Sequence, residues 1–201
     1  ILDAPGHLHY VPNMIIGATQ ADIALLVISA RKGEFEAGFD RGGQTREHAL
    51  IAMTLGISRM VVVVNKMDTV QWSEKRFSSI TKKMLKFLSK EIGLKSKHVS
   101  FIPISGQKGT NVKFKVNYGD EDEAPWYQGP TLLDALDAMK PSKRSNTKPL
   151  RVTIVDRFKS DVGLQAIGMV QQGVLSVGDV VKIMPDGHDT KIADLQLDGE
   201  E

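Results

Sequence analysis

Asn65-Lys66-Met67-Asp68 carries the residue types best suited to chemistry, and it directly follows four β-branched apolar residues, Val61 to Val64. Such a run suits a strand buried on both faces of a parallel sheet. Ligands bind in open α/β sheets just beyond the carboxyl ends of those strands. An ionised Asp68 accepts hydrogen bonds only, so it can take the ring N–H and the exocyclic amine of guanine together. Adenine does not present that pair of donors and would leave the carboxylate unpaired. In this reading Asn65 holds the loop and faces the base edge, while the Lys66 methylene stem lies over the purine with its ammonium in water. The same four residues also suit a polar turn after a buried strand.

Two further loops follow apolar stretches. Ile1-Leu2 reads as the end of a strand and leads into Asp3-Ala4-Pro5-Gly6-His7. Asp3 could hold a water of a Mg²⁺ shell, because Mg²⁺ keeps several waters and uses few protein ligands. Gly6 lets its N–H approach a terminal phosphate, and His7 is placed to orient an attacking water. A tight turn with Pro and Gly in their usual places is the alternative. Ser105-Gly106 follows the apolar run Val99 to Ile104 and would set backbone N–H groups against a guanine carbonyl oxygen.

The elements that must position these loops alternate between strand and helix. Asp22 to Ser29 reads as a strand, Thr45 to Leu55 as a helix stopped by Gly56, and Ser73 as the cap of a long amphipathic helix. That helix places Phe77, Ile80, Met84, Phe87 and Leu88 on one face. Its other face, with Lys75, Arg76, Lys82, Lys83, Lys86 and Lys90, reads as solvated. Alternation of this kind predicts an α/β fold with a mostly parallel, doubly wound sheet flanked by helices. Gly109 to Gly129, with the acidic run Gly119 to Glu123, reads as a surface loop, and Trp126-Tyr127 anchor the chain before a helix over Leu132 to Met139. From Leu150 the pattern becomes short strands (Leu150 to Val155, Gln165 to Val170, Val180 to Met184) broken by Gly turns, which predicts part of an all-β barrel. The expected domains are 1–140, a linker over 141–149, and 150–201.

Composition bounds the function class. The chain has 201 residues, 25% charged and 41% hydrophobic, with a net charge of +2 and no cysteine. Those values describe an ordinary globular protein with no strong overall field for nucleic acid or membrane, no disulfide framework and no thiolate metal site. No stretch approaches the roughly 18 apolar residues of a membrane helix, so a cytoplasmic location and a monomer are expected.

The motifs together carry a resemblance. Asp3 to His7, Gly33-Glu34-Phe35-Glu36-Ala37-Gly38, Gly43-Gln44-Thr45-Arg46-Glu47-His48 and Asn65-Lys66-Met67-Asp68 are similar to the translational GTPases. Within these the chain resembles elongation factor 1-alpha, the release-factor GTPase and the ribosome-rescue GTPase that works with Pelota. The Gly33-to-His48 stretch is the most specific part of the match. The resemblance implies a P-loop-GTPase-like sheet, incomplete at its N-terminus, followed by the first part of a translation-factor β-barrel. It implies GTP and GDP as ligands, Mg²⁺ as cofactor and the ribosome as partner. In site terms it implies catalytic His7 and Gly6, guanine-binding Asn65, Lys66, Asp68, Ser105 and Gly106, and Asp3 at Mg²⁺ through water. Val11 to Met14, Phe39 with Gly42-Gly43, Trp72 and Trp126 to Pro130 look more like the rescue and release GTPases than elongation factor 1-alpha. Between those two, Glu74 to Phe77 and Trp126 to Leu133, continuing into Lys140-Pro141, lean to the rescue GTPase with a Pelota-type partner. The alternatives are elongation factor 1-alpha with aminoacyl-tRNA, the termination GTPase with a class-one release factor, and a GTP-binding scaffold that does not hydrolyse. Leu8 stands where the family commonly has Lys or Arg. The sequence contains no Gly-Lys pair, hence no Gly-x-x-x-x-Gly-Lys-Ser/Thr phosphate loop. The chain also opens on Ile1 rather than Met, so it is expected to be an inactive piece of a longer enzyme.

Overall fold

The computed structural model describes residues 2–3, 21–40, 42–115, 124–139, 144–160 and 163–196. The chain divides into two compact units, Ile1–Ser142 and Lys143–Glu201.

The first unit is built on three parallel strands in the order β1-β2-β3: β1 (Ala24–Ser29), β2 (Met60–Asn65) and β3 (Val99–Pro103). Leu25 pairs with Val61 and Val27 with Val63, while Val61 pairs with Ser100 and Val63 with Ile102. Side chains alternate across a sheet, so the valine run must face two cores. Val62 and Val64 join Ile28 beneath helices α1 (Glu34–Phe39), α2 (Gln44–Thr54) and α3 (Glu74–Lys90), which contribute Phe35, Ala49, Ala52, Ile80, Met84 and Leu88. Val61 and Val63 join Ile102 and Ile104 beneath α4 (Leu132–Asp137), through Leu132 and Ala135. All four valines are fully buried. Each such burial is worth roughly 1.5–3 kcal/mol as an upper bound, which makes β2 the best-anchored strand of the unit.

The helix ends follow from their residues. Gly56 takes φ +96° and stops α2 one residue past its cap at Leu55. Ser73 caps α3, its hydroxyl accepting from the Arg76 N–H at 3.3 Å, and Thr131 and Asp134 cap α4 reciprocally. Gly43 admits no larger residue, because a Cβ there would lie 2.3 Å from the Gly38 carbonyl oxygen. The tight corner between α1 and α2 therefore explains the glycine at position 43.

Several expectations need correction. Leu2 and Asp3 lie in no strand, and Leu2 is exposed. β1 begins at Ala24 rather than Asp22, and α4 ends at Asp137 rather than Met139. Arg76 does not belong to the solvated face of α3. Its side chain is only 14% exposed and turns inward to Glu36. Asn111 is buried, so the segment after Gly109 is not wholly a surface loop. The acidic run 119–123 lies outside the described residues. Trp126 and Tyr127 do anchor the chain, packing against Phe77 with ring centroids 5.2 and 6.3 Å away. Burial pushes the Tyr127 phenol up to about 12.

The second unit holds two antiparallel ribbons, β4 (Arg151–Ser160) with β5 (Gly163–Gln172), and β6 (Val180–Ile183) with β7 (His188–Lys191). The last of these strands had no clear sequence signal, since His188-Asp189-Thr190-Lys191 is polar throughout. No described residue of this unit is buried, and Ile154, Phe158, Leu164, Ile167 and Val180 are exposed. Two-stranded ribbons of this kind are marginal in water by themselves.

Candidate functional site

The site starts from how β2 ends. Ile104 N–H donates to the Val64 carbonyl at 2.9 Å and Met67 N–H to the Ile104 carbonyl at 3.1 Å, so the loops after β2 and β3 are tied together beyond their strands. Lys66 takes the left-handed conformation, φ +62°, and turns the chain into a short 3-10 turn over Met67–Val70. Such a conformation in a non-glycine residue is uncommon and accumulates at functional sites. Asn65 fixes the junction: its Oδ1 accepts from Lys66 N–H at 2.7 Å and from Gly106 N–H at 2.8 Å. One side chain thus holds both loops in register.

Gly106 is needed where it stands. A Cβ on it would come within 3.2 Å of Asn65 Oδ1 and 3.3 Å of Nδ2. Ser105 is fully buried, with its N–H on the Thr110 carbonyl at 3.1 Å. The two N–H groups expected to face a guanine oxygen are hydrogen-bonded within the protein, that of Ser105 to the Thr110 carbonyl and that of Gly106 to Asn65 Oδ1. The Asp68 carboxylate is half-buried at the mouth of these loops and has no hydrogen-bond partner among the described residues. It remains an open acceptor for a ligand carrying adjacent N–H donors, which is what a guanine edge presents.

Lys66 differs from expectation at its tip. Its ammonium sits 2.7 Å from Glu34 Oε2, which also accepts from the Ser29 hydroxyl at 2.8 Å. The hydrogen bond from Lys66, then that from Ser29, lowers the Glu34 carboxyl below its ordinary value. Glu34 thus orients the lysine stem from the start of α1. Beside it, Glu36 accepts from Gly33 N–H at 2.8 Å and pairs with both terminal nitrogens of Arg76, at 2.8 and 3.2 Å. Arg76 Nε also donates to the Ala30 carbonyl at 2.7 Å. This fork holds the Glu36 carboxyl down at about 2, against the opposing effect of partial burial.

The structure thus brings Asn65, Lys66, Asp68, Ser105 and Gly106 into one loop cluster. Asp3 is exposed, and no group of three His, Cys, Asp or Glu side chains among the described residues could by itself enclose a metal. A single open carboxylate still fits Mg²⁺, which takes most of its shell from water and phosphate oxygens. Gly6 and His7 lie outside the described residues. Glu34, Arg76 and Asn111 were missed as supports of the site. Asn111 adopts φ +59° and donates from Nδ2 to the Pro103 carbonyl at 2.8 Å, bracing the loop behind Ser105. An Asn two residues after a glycine was its only signal, since Asn tolerates the left-handed region.

The elongation factor Tu GTP binding domain model matches residues 1–142. Elongation factor 1-alpha of Staphylothermus marinus is 50% identical over 188 residues, 92% of this chain and 42% of that protein. The eukaryotic peptide chain release factor GTP-binding subunit of Schizosaccharomyces pombe is 46% identical over all of this chain and 30% of its own length. Among solved structures, sup35 complexed with GMPPNP superposes with a TM-score of 0.57 at 43% identity, covering 90% of this chain and 44% of that one. The Saccharomyces cerevisiae Ski7 GTPase-like domain bound to GTP shares the fold at 20% identity, with a TM-score of 0.64 over 90% of this chain and 41% of that domain. The chain spans less than half the length of these relatives. With the family model covering most of the chain and the Asn65–Asp68 and Ser105–Gly106 loops meeting as described, the protein belongs to the elongation factor Tu GTP-binding-domain family of translational GTPases.

Proposed function

We propose that this chain supplies the guanine-binding part of a GTPase that acts on the ribosome, in rescue of stalled ribosomes with a Pelota-type partner. The observation that carries the nucleotide reading is Asn65 Oδ1 bridging Lys66 N–H and Gly106 N–H while Asp68 is left open. In the full-length protein, water attacks the terminal phosphorus of GTP in line. GDP leaves, and phosphate and a proton are released. His7 orients the water, Gly6 follows the terminal phosphate, and Asp3 would hold Mg²⁺ through water, where the ion would supply positive charge against the phosphate charge that develops in the reaction. Loss of that phosphate relaxes the segment after His7, as in other GTPase switches. Phosphate positioning and electrostatics carry most of this catalysis. Without a Gly-Lys phosphate loop, the 201 residues alone should not turn over GTP. The residues read as domain 150–201, after a linker at 141–149, would open a translation-factor barrel, and the protein would work as a cytoplasmic monomer.

The rescue reading is supported by the motifs that contain Arg76, Phe77, Trp126 and Tyr127; Arg76 braces the turn after β1, and Trp126 and Tyr127 pack on Phe77. The 50% identity to an elongation factor 1-alpha favours a second reading, delivery of aminoacyl-tRNA, and the 46% identity to a release-factor subunit favours termination in the same way. The deciding experiment titrates the full-length protein, loaded with a non-hydrolysable GTP analogue, against a Pelota-type partner, with aminoacyl-tRNA and a class-one release factor as competitors. Tight Pelota binding that neither competitor displaces is the expected result. Protection of aminoacyl-tRNA without Pelota binding would transfer the protein to elongation.

A further inference from the structure

Between Lys75 and Lys90, α3 carries six cationic side chains and no carboxylate. Arg76 turns inward to Glu36, and five lysines remain exposed. Residues 75, 79, 82, 86 and 90 recur at intervals of three and four, which places Lys75, Ser79, Lys82, Lys86 and Lys90 on one outward stripe. Lys83 flanks it, with its ammonium 5.9 Å from the Phe35 ring centroid. None of the five pairs with a carboxylate among the described residues. In a chain of net charge +2 this stripe is a concentrated local field.

We propose that the outer face of α3 binds the phosphodiester backbone of duplex RNA. The spacing fits. Fifteen residues of helix extend about 22 Å, and lysines one turn apart rise about 6 Å, so the stripe is a row of charges long enough to meet several phosphates of one backbone. The chemistry fits as well. Lysine and serine are the groups that contact phosphates and position a protein on a duplex. Protein interfaces are depleted in lysine and rely on aromatic or arginine anchors, and the stripe offers neither. The same lack of aromatic platforms argues against single strands, whose bases stack on such side chains. The choice of RNA over DNA rests on the proposed action on the ribosome; the choice of a phosphate backbone does not.

The test is an anisotropy titration of the full-length protein with a labelled RNA duplex of about 20 base pairs, repeated between about 50 and 200 mM salt. The triple variant Lys82→Gln/Lys86→Gln/Lys90→Gln should bind roughly tenfold or more weakly, and the slope of log affinity against log salt should fall by about 2–3. The charge-matched variant Lys32→Gln/Lys113→Gln/Lys148→Gln, at exposed sites off the stripe, should bind like the parent. GDP affinity measured on every variant reports the nucleotide site separately, so failure of the stripe and failure of the guanine reading are distinguishable. Equal loss in the two triple variants would reduce the effect to net charge and overturn the proposal. Binding of a polyglutamate peptide in place of RNA, abolished by the stripe variant, would assign the face to an acidic protein. A DNA duplex of the same sequence binding tenfold tighter than the RNA would overturn it as well.

Discussion

Single side chains at this site act by holding others still. Asn65 satisfies two backbone donors from different loops, and Glu34 and Arg76 do similar service for the lysine stem and the turn after β1. Their identities were legible only in part. The Asn-Lys-x-Asp pattern pointed to Asn65 because its residues are neighbours in sequence. Arg76 and Glu36 are 40 residues apart, and nothing local distinguishes an inward arginine from its outward lysine neighbours. This pair has a pH signature. The Glu36 carboxyl lies at about 2 in the folded protein against 4.5 ordinarily, so its contribution is full above about pH 4.5 and is lost as pH falls toward 2. With Glu36 about a third exposed, screening leaves on the order of 1 kcal/mol. Thermal melts should show the Tm advantage of the parent over Glu36→Gln shrinking from pH 5 to pH 2. A constant gap across that range would mean that the Arg76 fork does not stabilise the fold.

At the scale of elements, β2 was readable because four consecutive valines admit little but a doubly buried strand. The α3 helix was readable from its period and its serine cap. Strand ends and the short α4 were less so, since their limits depend on tertiary hydrogen bonds. The resemblance implied a sheet incomplete at its N-terminus, but not which strand would stand at its edge. Among the described residues β1 pairs on one side only, and Leu25 and Val27 are 41% and 55% exposed on the face they share with Val61 and Val63. Such an apolar edge is a template for association. Val27→Lys should leave the fold within about 0.5 kcal/mol of the parent while slowing concentration-dependent association of the 201-residue chain several-fold. Sedimentation velocity across a concentration series reads both populations. Unchanged association would place the sticky surface elsewhere, with the exposed apolar residues of β4 and β5 the next to vary.

The molecule as a whole joins a well-anchored α/β unit to ribbons with no buried residue among those described. Sequence alone conveyed the alternation that yields the first unit and the glycine-punctuated strands of the second, because both follow from local patterning. It did not convey that Gly106 N–H is taken up by Asn65, which only the meeting of two distant loops creates. The central claim is that this meeting makes a guanine site, and nucleotide selectivity of the full-length protein tests it most directly. Calorimetric titration with GDP, ADP and XDP should give a parent that prefers GDP over ADP by a factor of up to about 10⁴. In Asp68→Asn the preference should move to XDP, whose C2 carbonyl accepts from the new amide where the guanine amine donated to the carboxylate. A variant that keeps the preference of the parent for GDP would contradict the account, because Asp68 would then not be the group that reads the base.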